Sequence, residues 1–171
     1  MSQYIPDRGL TAATGATLRV EKHEARFFGG STALDIYTLD KECPNLGFRL
    51  ASQGYRGSAS IDGTGTSALL IPAGKPILLK VSWSRITPWT TESCHSALVF
   101  RPERGSDYSV RYVSPAQGED VCSVTLSELV ENENGQLESE PIDDVARVDL
   151  GPGSSSSAEA ACAAARQLRG G

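Results

Sequence analysis

From Ile77 to Trp83 the chain reads ILLKVSW, with Ile77, Leu79, Val81 and Trp83 on one side of the alternation and Lys80 and Ser82 on the other. A repeat of two is the signature of a strand with one face in a core, and a helix of 3.6 residues per turn cannot use it. The same period returns in short pieces. Leu18 and Val20 alternate with Arg19 and Glu21, Leu34 and Ile36 with Asp35 and Tyr37, and Tyr108, Val110 and Tyr112 with Ser109 and Arg111. Segments rich in Gly, Pro and Asp (KECPN, PAGKP, PERGSD, SPAQGED) separate the pieces, and these residues favour chain reversal.

Roughly seven or eight short one-faced strands must bury their apolar sides against one another. The expected fold is all-β: an antiparallel β-sandwich or open barrel with flexible terminal segments. Residues 17–150 form the sandwich domain in this reading, and 151–171 a tail rich in Gly, Ser and Ala. A parallel doubly wound fold would need intervening helices for which the body has no room.

The alternation also suggests neighbours. The strand beginning at Thr17 and the one in STALDIYTLD read as a hairpin, and Leu69 to Ile71 pairs with Ile77 to Trp83 around Pro72, Gly74 and Pro76. Ala97 to Arg101, Tyr108 to Val113 and Val121 to Leu126 read as a three-stranded meander. ASQGYRGSASIDGTGTS, with five glycines, reads as loop plus a short irregular strand. Asn134-Gly135 marks a further hairpin turn, and ARVDL a last edge strand. AEAACAAARQLR forms a helix readily, but so short a helix needs a surface to dock on.

At 171 residues the chain can bury about two-thirds of its unfolded surface. Its net charge of −5 argues against a nucleic-acid partner, which would call for a concentrated basic surface. The acidity is local: Glu119 to Asp149 holds ten acids against the single Arg147. That run reads as a solvated surface or mobile arm, or else as the face offered to a basic partner. No apolar run is long enough to cross a bilayer, and MSQYIPDRG has neither the basic nor the apolar part of a secretory signal. A signal or lipid-attachment cysteine removed upstream is compatible with this start.

The four cysteines, Cys43, Cys94, Cys122 and Cys162, have no close metal-ligand or CxxC spacing, and disulfides explain them better than redox chemistry or zinc. Cys94 and Cys122 bracket the expected meander. A bridge between them requires Cys94 to fold over the sheet end or the strands to divide between two sheets, because bridged α-carbons lie within about 7 Å. Pairing of either with Cys43 is the competing choice; a Cys94 to Cys122 bridge leaves Cys43 either free or coupled to Cys162 in the tail.

Catalytic signals are weak. Ser96, His95 and Asp107 carry the residue types of an acyl-transfer triad without its motif, and His23 is the only other histidine. GTGTS lacks phosphate-loop spacing, so no cofactor or metal is expected. Trp89 stands out, because no strand phase explains a large aromatic in RITPWTTES. With Arg85 it is the candidate contact surface for a protein partner. Trp83, Trp89 and Tyr108 together could instead form ring platforms for a carbohydrate or small ligand.

LDIYTLDKECPNLG, LLIPAGKPILLKVSW, ESCHSALVFRPERGSDYSVRY and EDVCSVTL resemble small bacterial envelope lipoproteins whose mature part is an all-β domain. The most specific part is a cysteine before F-x-P-x-x-G-x-x-Y-x-V and a second cysteine ahead of a short strand. Cys94, Phe100, Pro102, Gly105, Tyr108, Val110 and Cys122 match it here. No lipobox is present, and the acidic run and Ala-rich tail depart from the pattern. The resemblance implies a periplasmic protein, or one on the periplasmic face of the outer membrane, that binds another envelope or secreted protein as an assembly component or inhibitor. A hydrolase is the remaining alternative.

Overall fold

The computed structural model describes residues 9–21, 30–39, 46–56, 66–86, 88–113, 123–148 and 154–168. These residues form β1 (Gly15–Glu21), β2 (Gly30–Leu39), β3 (Leu46–Arg56), β4 (Thr66–Pro72), β5 (Ile77–Ile86), β6 (Thr91–Phe100), β7 (Asp107–Val113), β8 (Ser123–Glu131), β9 (Leu137–Pro141), β10 (Val145–Val148) and α1 (Ser154–Gln167). One sheet runs β4-β1-β7-β8-β9 and the other β10-β6-β5-β2-β3. Each keeps its two edges, so the fold is an all-β sandwich and not a barrel. Every strand pair is antiparallel except β1 with β7, which are parallel with Leu18 opposite Tyr108 and Val20 opposite Val110.

Alternation explains the layer between the sheets. Ala16, Leu18 and Val20 from β1, Ile77, Leu79 and Val81 from β5, Leu98 and Phe100 from β6, and Tyr108 and Val110 from β7 join one buried cluster. Removal of this apolar surface from water is the main favourable contribution to the sandwich.

Three expected neighbour pairs are corrected. β1 and β2, β4 and β5, and β6 and β7 each divide between the two sheets. The meander is β7-β8-β9, and β6 lies opposite it. The segments after Pro72 and Phe100 are corners, hydrogen-bonded to other parts of the chain. Gly74 N–H donates to the Pro102 carbonyl at 2.8 Å, Gly105 N–H to the Gly15 carbonyl at 2.7 Å, and Thr17 N–H to the Ser106 carbonyl at 3.0 Å. Gly74 and Gly105 have φ of 76° and 79°, a left-handed backbone that favours glycine.

Two strands also begin or extend beyond their expected limits. β3 continues through ASQGYR, and β6 begins at Thr91, six rungs before the apolar run, because pairing with β5 carries it past the core.

The C-terminal segment, expected as a flexible tail, contains a docked helix. Ala161 and Ala164 of α1, with Leu168 just after it, pack on Leu39, Leu78, Ala97, Val99 and Val148, on the face of the second sheet that points away from the first. Hence ALVF in β6 is buried at every position, the pattern of a strand covered on both faces.

Candidate functional site

The β5–β6 hairpin is an unbroken ladder from Ile77 opposite Phe100 to Ile86 opposite Thr91. Its Ile77 end lies in the core. Past Val81 and Ser96 the pairing continues, with β2 beside β5 as far as Gly30 opposite Arg85, and the turn that follows Ile86 lies beyond it. There Ile86 is 76 % exposed and Trp89, in the turn, is 91 % exposed, the largest exposure among the large hydrophobic side chains described. Pro88, Thr90 and Thr91 beside them are also exposed. For Trp83 and Arg85 the structure describes the backbone only; the register sets Trp83 opposite Cys94 and Arg85 opposite Glu92. Trp83, Arg85 and Trp89 thus belong to the same end of one hairpin. Ile86 was missed in the sequence because it sits in a stretch read as loop.

Tyr108 does not join them and is not a contact or platform residue. It is 3 % exposed, packed inside the sandwich, and its hydroxyl accepts a hydrogen bond from the Glu103 backbone N–H at 2.9 Å. Desolvation by burial raises its pKa above the ordinary 10.0, against the lowering effect of that hydrogen bond. It lies beside Phe100, nine strand steps or roughly 30 Å from Thr91. The three-ring platform expected for a carbohydrate is therefore not assembled.

The triad types are separated as well. His95 is exposed while Cys94 is buried and Ser96 half-buried, as alternation along β6 requires, so His95 and Ser96 take opposite faces. Asp107 lies in the other sheet, paired with Arg19 at 3.0 Å.

Cys94, 8 % exposed, and Cys162, 3 % exposed, are both disulfide-bonded. The expected partner Cys122 and the competing Cys43 lie outside the described residues.

At the opposite end of the sandwich β8 and β9, which carry part of the acidic run, form a hairpin. Asn132 organises its turn: Oδ1 accepts from the N–H groups of Asn134 and Gln136, both at 2.9 Å, and Nδ2 donates to Glu138 Oε1 at 2.7 Å. Gly135 adopts φ 75°, as the Asn-Gly signal anticipated. Glu131, Glu133, Glu138 and Glu140 are exposed, and all of β9 is exposed along a sheet edge. Glu128 stands directly opposite Glu140.

No helix among the described residues is long and apolar enough to cross a membrane. No protein-family model matches the chain, and no curated protein matches its sequence.

Proposed function

We propose that this chain is a non-catalytic recognition protein that binds another protein through the Ile86 and Trp89 end of the β5–β6 hairpin. The observation that carries this reading is the exposure of two large apolar side chains close together in sequence, Ile86 at the end of the ladder and Trp89 in the turn beyond it. A tryptophan held in water on an ordered hairpin contributes nothing to the core, whereas on a partner it supplies a large apolar contact at little cost in conformational freedom. The disulfide-bonded Cys94 and Cys162 favour an oxidising compartment, such as the periplasm or the periplasmic face of the outer membrane, and hence an envelope or secreted partner. The likeness to envelope lipoproteins supports the same setting.

The test is site-specific photocrosslinking in the native cell envelope from position 89, with position 133 as an exposed control. A discrete adduct at position 89 alone, with a purified partner whose affinity falls at least ten-fold on Trp89→Ala, supports the reading. Unchanged affinity in a folded Trp89→Ala protein removes the anchor.

A second reading has an observation of its own. Glu128 opposite Glu140 is a like-charged cross-strand pair that costs stability, and a partner with a basic surface would relieve it. In this form the β8–β9 hairpin acts as an acidic inhibitor of a basic enzyme, and its association weakens steeply with salt.

A further inference from the structure

We infer that α1 is a detachable strap over the outer face of the β10-β6-β5-β2-β3 sheet, fastened by the Cys162 disulfide and released by a dithiol reductant. The strip it covers is apolar: Leu39, Leu78, Ala97, Val99 and Val148 are each at most 8 % exposed. None of these residues belongs to the cluster between the sheets, which is complete without the helix. Both faces of the central strands are therefore apolar, and only the inner one is closed by the other sheet.

The strap's own hold is weak. Its fully covered contacts on the sheet come from Ala161, Ala164 and Leu168, and alanine methyl groups bury little surface. A helix of 14 residues is marginal alone, and this one has no acidic residue in its first turn to favour the helix dipole. Gly151, Pro152 and Gly153 precede it. Cys162, in the buried side of the helix and disulfide-bonded, supplies the fastening that these contacts lack.

Release is an ordinary thiol–disulfide exchange. A thiolate of the dithiol attacks the Cys162 disulfide, forming a mixed disulfide and expelling one thiolate. The second thiol of the reductant then closes its own disulfide. Two electrons pass to the protein, and Cys162 and the sulfur it was bonded to become thiols on taking up two protons. Because Cys162 is buried, the attack proceeds through local opening of α1. The product is a folded sandwich with an uncovered apolar strip.

Hydrogen exchange on the full chain tests this, comparing the oxidised protein with a Cys162→Ser variant that leaves Cys94 in place. Amides of Ser154–Gln167 should exchange at least ten-fold faster in the variant, those of Ile77 to Val81 should keep their protection, and 8-anilinonaphthalene-1-sulfonate fluorescence should rise. Unchanged helix exchange would mean that packing alone holds α1 and would overturn the inference. Concerted loss of protection in β5 would overturn it too, by making the helix integral to the sandwich. If the variant fails to fold, the oxidised protein is followed after addition of dithiothreitol: helix exchange that quickens before β5 opens supports the strap, and simultaneous opening rejects it.

Discussion

Phe100 and Tyr108 meet edge to face across the two sheets, with ring centroids 5.2 Å apart and planes at 69°. One ring comes from each layer, so this contact ties the sheets where the chain turns from β6 into β7. Phe100 is 1 % exposed. Phe100→Ala should therefore lower unfolding free energy by about 3–5 kcal/mol, since it removes a buried ring and leaves a cavity. Trp89→Ala should change it by about 0.5 kcal/mol or less. Urea denaturation of the two variants measures the contrast.

Tyr108 also gives the fold an alkaline limit. Burial raises its pKa above 10.0, so the folded protein keeps a proton that the unfolded chain releases. The stabilising contribution is complete below the unfolded value of about 10 and is lost as pH rises through the folded value. Denaturation midpoints should fall above pH of about 10 in the wild type, and Tyr108→Phe should remove that part of the decline.

Gly15 has no room for a side chain. A Cβ built there would lie 2.7 Å from the Ile71 carbonyl oxygen and 2.8 Å from Leu10 Cδ1. The leucine can move, but the carbonyl belongs to the β1–β4 ladder. Gly15→Ala should destabilise by about 1–3 kcal/mol, whereas Gly9→Ala, with nothing within 4 Å, should be nearly neutral. Thermal unfolding of both variants distinguishes local crowding from a general glycine effect.

Glu140→Lys should stabilise the protein by about 0.2–1 kcal/mol, because it turns the repulsive pair with Glu128 into an attractive one. The gain should shrink in high salt, since both side chains lie near solvent. Chemical denaturation at low and high ionic strength reads it directly.

The strands themselves were legible, because ILLKVSW and DYSVRY state which side of each is apolar. Their partners were not. Alternation records that a strand has one buried face and is silent about which strand covers it, so hairpins and corners look alike between Pro72 and Ile77. Tyr108 was misplaced for a related reason: on an alternating strand a tyrosine serves equally as core or as platform, and only the Glu103 N–H within reach of its hydroxyl decides. The exposure of Trp89 was legible because the residue fits no strand phase. The cover over β6 had a signal in ALVF, apolar at four successive positions, but the chain names its lid only 60-odd residues later, in an Ala-rich segment that any surface could have received.

The parallel pairing of β1 with β7 sets a schedule for synthesis. Arg19 and Asp107 are joined across that seam although they are 88 residues apart in sequence. At ribosomal speeds, roughly 4–18 s pass between the appearance of the first and of the second. The hairpins β2–β3 and β5–β6 can form within that interval, while β1 waits for the neighbour that will sit between it and β8. Among the described strands, β1 is thus made before β2 to β6 yet gains its β7 neighbour only after them, so the two layers close late relative to these hairpins.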